Sequence, residues 1–361
     1  MLEGVLGLIL RDLPSKEVEE AMKVAMITPW GKNVRCGIRT YSENLINGIV
    51  NADKNTSIYV IRWPRFGMRT QELIQSCVVE KIPFDKVDLI HVMHEYGLFQ
   101  PDIDRVFFNT IRLYNKPIVT TMHATGNPII DGCIVNASDR IIVHNEYMKD
   151  LLPTNNKCVI IPHGCSVVQT PPRDECKKSF GIDPNIKVVG YVGFISPNKG
   201  VDILIEAMKD IRAVLLIGGG WFIGDGTDYI NYLKMMSANL LGNRCAWLGY
   251  IKDEDLARVY GACDIIVYPS RYISESGAML MAISHGKAVI AKNLLPNKEK
   301  EKEGALMTFN NKDDLISKIN RLLSDDEMRV SMEKSAMQYA KANSWLKIGR
   351  KHVSLYNRIL R

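Results

Sequence analysis

The feature that most constrains this chain is a rhythm of short apolar runs, each followed by a helical pattern. Residues 23–28 form the first run. A glycine loop follows, then a helix with Ile38, Tyr41, Leu45, Ile46 and Ile49 on one face. Apolar runs recur at 88–93, 118–122, 140–144 and 159–161. They are continuous rather than alternating, the pattern of parallel strands covered on both faces. Residues 166–186, with Pro171 and Pro172 among polar neighbours, break the rhythm and read as a linker region. The rhythm restarts at 188–192, 213–217, 245–248, 264–268 and 288–291, with helices such as 200–210 and 254–262 between. Asp253 is the expected N-cap of the latter.

Two successive blocks of this kind predict an α/β protein with two doubly wound domains, one over 22–165 and one over 187–344. The length of 361 residues agrees, at a prior of about 150 residues per domain. Residues 1–21 read as an N-terminal extension. Their apolar stretch Gly4 to Leu10 lacks the basic start and the cleavage site of a signal peptide. No run approaches the ~20 apolar residues of a membrane span. The eight cysteines are scattered with no C-x-x-C pair, which excludes a zinc ribbon or a thioredoxin-type motif and fits reduced thiols. A cytoplasmic location is the expectation. The net charge of +6 is mild: it fits anionic small-molecule substrates, and no nucleic-acid partner is expected.

Doubly wound sheets bind ligands beyond the carboxyl ends of their strands, so chemistry is sought there. Gly37 closes the loop between the first strand and first helix. A glycine there lets another molecule approach the backbone, or simply makes a tight turn. His94, His123, His144 and His163 follow first-domain strands. With no H-x-H or H-x-x-x-H element they read as hydrogen-bonding or structural groups ahead of a metal site. Lys199 sits where a strand gives way to a helix, a place for a pyrophosphate. Gly218, Gly219 and Gly220 follow a strand without dinucleotide-fingerprint spacing, which leaves a dehydrogenase unsupported and a loop beside a nucleotide open. Between Tyr268 and Gly286 a polar loop carries Arg271 and Glu275. Ser276 can then cap a small, apolar helix whose first N–H groups, at Gly277, Ala278 and Met279, suit an anion.

In this order the motifs resemble glycosyltransferase family 4, over residues 22–361. Cys36-Gly-Ile-Arg-Thr-Tyr41 resembles its Gly-Gly-Ile loop, with the first glycine replaced. Asp88-Leu-Ile-His-Val-Met-His-Glu-Tyr-Gly97 resembles a strand-end motif, and Thr120-Thr-Met-His123 its V-T-x-H strand. Ile160-Ile-Pro-His-Gly164 is similar to its I-P-x-G turn, and Gly193 to Gly200 to its G-x-x-x-x-x-K-G loop. Trp345 to Tyr356 looks like its final helix, which returns to the first domain. The resemblance implies a GT-B fold, two Rossmann-like domains facing a central cleft, with 345–361 completing the first. It implies a retaining transferase taking a UDP- or GDP-sugar to a glycan, lipid-linked or small-molecule acceptor, without cofactor or required metal. His123, Lys199 and Glu275 would be catalytic. Lys199, Arg271, Ser276, Gly277, Ala278 and Gly219 would hold the donor. Gly37, His94 and Glu95 would face the acceptor.

Two positions depart from the pattern. Phe194 stands where the family has an arginine, and Ile273 and Met281 where it has paired glutamates. They keep open a sugar-nucleotide-binding homologue without turnover; a sugar-nucleotide epimerase of the same architecture is a third reading. Arg271 is the expected second cation beside Lys199, with a solvated loop arginine as the alternative. Arg62, Arg65 and Arg69, interleaved with Trp63 and Phe66, suggest peripheral contact with an anionic membrane, or a solvated loop.

Overall fold

The computed structural model describes residues 21–31, 36–64, 71–99, 101–154, 156–221 and 226–361. Nearly all of the expected N-terminal extension therefore lies outside the described residues. The described residues divide into two compact units, one comprising those up to Gly164 plus Trp345–Arg361, the other those of Cys165–Ser344.

The first unit holds β1 (Lys23–Pro29), β2 (Ser57–Trp63), β3 (Leu89–His94), β4 (Ile118–Met122), β5 (Arg140–Val143) and β6 (Cys158–Ile160). They form one parallel sheet ordered β2-β1-β3-β4-β5-β6. The second unit holds β7 (Val188–Val192), β8 (Val214–Gly218), β9 (Cys245–Gly249), β10 (Ile265–Tyr268), β11 (Ala288–Lys292) and β12 (Met307–Phe309). Its parallel order is β12-β11-β10-β7-β8-β9. Parallel neighbours need long crossovers, and helices between the strands supply them. Every residue of β3, β4, β7 and β10 is buried, which is why these strands read as unbroken apolar runs. Each order reverses once, between β1 and β3 and between β7 and β10. The crevice at such a reversal is where these sheets take ligands.

Three expectations change. β2 had no place in the sequence pattern: it is an edge strand in which Ser57–Val60 are only half-buried, while Arg62 points out and Trp63 in. Trp63 stacks on Phe99 at 3.9 Å and donates its indole N–H to Leu98 O at 3.0 Å, so it is core and not a lipid-facing side chain. Arg65, Phe66 and Arg69 lie outside the described residues. The stretch 166–186 belongs to the second unit rather than standing free. It contains the helix Arg173–Ser179, whose Lys177 is buried against Asp264 at 3.0 Å. Asp253 is the first residue of its helix rather than the cap; Lys252 holds the cap position and makes no side-chain cap bond.

The C-terminal helix Trp345–Leu360 lies against the helix Gly37–Ala52 through two glycines. A Cβ on Gly349 would stand 2.2 Å from the backbone of Gly48, and one on Gly48 2.2 Å from Trp345 O. Tyr356 then reaches His91 on β3, Oη to Nδ1 at 2.6 Å. Gly132, by contrast, has nothing within 4 Å of the place a Cβ would take, and sits inside the helix Pro128–Ala137. Gly349→Ala is expected to destabilise the protein by about 1–3 kcal/mol through overpacking. Gly132→Ala is expected to stabilise it by about 0.5–1 kcal/mol through helix propensity. Thermal melts check both; two variants that melt together would refute the close crossing.

Candidate active site

In the second unit, the loops beyond β7, β8 and β10 are bound to one another by their backbones. Gly193 N–H donates to Gly218 O at 2.9 Å, and Ile195 N–H to Gly220 O at 2.9 Å. Gly219 has φ +134°, and a Cβ on it would lie 1.8 Å from Gly193 O. Only glycine fits. Gly200, at φ +68°, closes the turn Pro197–Lys199 in the left-handed conformation, with Pro269 O 2.2 Å from its would-be Cβ. Arg271 N–H donates to Asn198 O at 2.8 Å. Tyr268 Oη reaches the carbonyls of Val192 at 2.9 Å and Ala278 at 2.8 Å, tying β7 to the first turn of the helix Gly277–Ser284. The loop that carries Lys199, itself half-buried, is thereby fixed beyond β7 at the β7–β10 reversal.

The helix start is built as expected in part. Ser276 Oγ accepts the Met279 N–H at 3.2 Å, so the cap is made. The N–H groups of Gly277 and Ala278 meet no acceptor among the described residues. Two free donors at a helix N-terminus attract negative charge.

Glu275 and Arg271 are placed differently from expectation. Glu275 Oε2 pairs with Lys300 Nζ at 2.8 Å, both side chains almost wholly buried, and Oε1 accepts the Ser276 N–H at 2.8 Å. A carboxylate so engaged holds the loop at the helix start rather than standing ready to move a proton. Lys300, on the helix Leu295–Lys302, was invisible to the sequence reading; a lysine run such as Lys298-Glu-Lys300-Glu-Lys302 reads as a solvated face. Arg271 forms a fork on Asp202, with Nη1 at 3.0 Å and Nη2 at 2.5 Å, and Nη1 also donates to Pro197 O at 2.5 Å. It braces the Lys199 loop from behind. Phe194 is more than a third exposed, and Met281 packs on the core.

In the first unit the histidines gather round one ring. Tyr41, from the first helix, contacts the rings of His123 (4.5 Å), His163 (4.9 Å), Trp345 (5.2 Å) and His144 (5.4 Å). Their bonds fix a direction. Ile161 O, 3.0 Å from His144 Nδ1, can only accept, so that nitrogen carries a proton. A neutral His144 then offers its Nε2 lone pair, 3.3 Å from His123 Nδ1, which must donate. This leaves His123 Nε2 a buried lone pair with no partner among the described residues. Burial, and then the neighbouring histidines, hold His123 well below the usual imidazole range, so it stays neutral. It can accept from a hydroxyl. Tyr41 Oη is likewise buried without a partner among the described residues.

His94 is fully buried at the end of β3, its ring 4.4 Å from that of Phe99. Glu95 follows, half-buried, and its carbonyl closes a turn with Leu98 and Phe99. Gly37 is exposed, with nothing among the described residues within 4 Å of a would-be Cβ, so those residues do not demand glycine there. Among the described residues no group of three or more His, Cys, Asp or Glu could hold a metal ion.

The chain is similar in sequence and fold to known proteins. Residues 172–339 match the family model for glycosyl transferases group 1. An uncharacterized glycosyltransferase, MJ1178, of Methanocaldococcus jannaschii is 28% identical over 280 residues, 74% of each chain. The lipopolysaccharide 1,2-N-acetylglucosaminetransferase of Salmonella typhimurium is 25% identical over 282 residues, 68% of this chain and 70% of that one. Anabaena Alr3699/HepE, solved with UDP and glucose, superposes at a TM-score of 0.73 and 18% identity over 93% of this chain and 100% of its own, a likeness of fold. These similarities support transferase activity for the chain, and its fold is the GT-B fold. Among the described residues no helix is long and apolar enough to cross a membrane.

The Lys300–Glu275 pair carries a direct consequence. Removing one partner of a buried pair strands the other charge and costs about 3–5 kcal/mol. Lys300→Met is therefore expected to destabilise the protein by about that much, and adding Glu275→Gln to restore most of it. Chemical denaturation measures both; a Lys300→Met variant of wild-type stability would show that the pair does not hold the loop.

Proposed function

We propose that the protein transfers a sugar from a nucleoside diphosphate donor, with the diphosphate at the β7–β10 reversal of the second unit. The observation that carries this reading is the pair of N–H groups at Gly277 and Ala278 that meet no acceptor among the described residues, on a helix that Tyr268 ties to β7, the strand that leads into the Lys199 loop. As the sugar–oxygen bond breaks, charge grows on the diphosphate. Preset N–H donors and a cation stabilise that charge without reorganising, so the barrier falls. The residues assigned to it are Lys199, Gly277 and Ala278, and the reading calls on no resident metal or cofactor. Gly219 and Arg271 act one step back, Gly219 by letting the loops close on each other and Arg271 by bracing the lysine loop. UDP is the first donor base to test, because the solved relative Alr3699/HepE is in complex with UDP. Retention at the anomeric carbon follows from the family 4 resemblance.

The acceptor hydroxyl is assigned to the first unit, where Gly37 leaves open space and His123 Nε2 offers a lone pair. His94 and Glu95 shape the wall through their turn. A donor-binding protein without turnover is the second reading, and Phe194 and Met281 favour it. Peripheral membrane contact is part of the proposal only through the surface described in the next subsection.

The test is nucleoside diphosphate release from UDP- and GDP-sugars across a panel of glycan, lipid-linked and small acceptors. Lys199→Ala is expected to lower turnover by about 100-fold or more, as loss of one transition-state donor does. Gly37→Val is expected to keep the wild-type melting temperature while raising the acceptor KM. Donor binding with no release on any acceptor would establish the second reading.

A further inference from the structure

We propose that the first unit carries a second anion site, a pocket at the amino ends of β4 and β5 that binds a phosphate group. It lies at the opposite end of the strands from His94 and His123. A cavity of about 430 Å³ opens there, walled by Arg112, Lys116, Arg140 and Arg358 against a single carboxylate, Asp139.

That carboxylate is already committed. Asp139 accepts the Ile118 N–H at 2.8 Å and Arg112 Nη1 at 2.9 Å, so its charge orients β4 and one wall of the pocket. Arg140 spends one nitrogen on Asp139 O at 2.7 Å, and Arg358 one on Ser354 O at 3.3 Å. The remaining guanidinium nitrogens of these two arginines, and Lys116 Nζ, meet no acceptor among the described residues. Three chain segments thus bring like charges together without neutralising them. Such a cluster repels itself unless an anion enters it. Guanidinium forks match the oxygens of a phosphate group bidentately.

The surface continues the same chemistry. A second cavity of about 330 Å³ shares Arg358 and adds Arg350 and Arg361. The segment Trp345–Arg361 carries Lys347, Arg350, Lys351, Arg358 and Arg361, all exposed, and no Asp or Glu. Leu113, 78% exposed, follows Arg112 directly, and Leu360 is 39% exposed beside Arg361. The shared ligand chemistry is a phosphate group. Its source is either a free phosphate compound or a phospholipid headgroup, for which the exposed leucines would enter the interface.

The test titrates the full-length protein with inorganic phosphate and pyrophosphate by calorimetry. In parallel it is sedimented with phosphatidylcholine vesicles with and without about 30% phosphatidylglycerol. Arg140→Gln/Arg358→Gln serves as the variant, with its melting curve as the control for folding, and Lys116→Gln as a milder second. The wild type is expected to bind pyrophosphate or the anionic vesicles. That binding should weaken as salt rises from about 50 to about 200 mM, because exposed charges are screened. The double variant should lose at least ten-fold, and the lysine variant a smaller part. Binding to the soluble ions assigns a free phosphate ligand; binding to anionic vesicles alone assigns a lipid headgroup. No binding to either, or binding that the folded variants retain in full and that therefore belongs to the second unit, overturns the proposal.

Discussion

The Gly193 carbonyl lies where a Cβ on Gly219 would have to be, 1.8 Å away, and the site of the second unit depends on that approach. Because Gly219 has no side chain, the loops beyond β7 and β8 close on each other by backbone bonds. Gly200 makes the same concession to Pro269 O on the β10 side. Lys199 is therefore held between two loops that cannot separate without breaking several main-chain hydrogen bonds. Precision of this kind is what a site needs if its donors are to meet charge only as it develops.

Around that frame, charges are paired in a way that separates support from function. Glu275 is neutralised by Lys300 and Arg271 by Asp202. Neither is at liberty to serve as a general base or as a lone cation. The unspent polarity is left on the N–H groups of Gly277 and Ala278 at the helix start, which meet no acceptor among the described residues. The first unit shows the same economy in another form. His144 consumes one nitrogen of His123, so that the remaining one can only accept.

Much of this could be read in the sequence. The buried strands announce themselves because parallel strands covered on both faces are apolar without alternation. The cap at Ser276 is local, three residues from the N–H it satisfies, so a short window contains it. What escaped detection is long-range or marginal. β2 is half-buried at an edge and β12 is three residues long, and neither yields a clear period. Residues 166–186 read as a linker because their prolines and charges are local facts. The partners that bury Lys177 and hold Arg173, namely Asp264 and Glu333, arrive from far along the chain. Arg271 is 69 residues from Asp202, and Glu275 is 25 from Lys300. Composition gives no sign of which acid each base will find. The order of motifs carried the family, but not the duties of its individual side chains.

The central claim is that the start of the helix Gly277–Ser284 receives the donor diphosphate. Gly277→Pro tests it most directly. Proline at the first helical position keeps the helix, and Ser276 is already extended, with φ −131° and ψ 99°, so that a ψ change of about 20° reaches the range that a following proline favours. The substitution deletes one of the two unsatisfied N–H groups and adds no charge. Calorimetric titration with UDP is predicted to show affinity weakened by about 10- to 100-fold, the value of one hydrogen bond to a charged group, at an unchanged melting temperature. Wild-type UDP affinity in a folded Gly277→Pro protein would contradict the account.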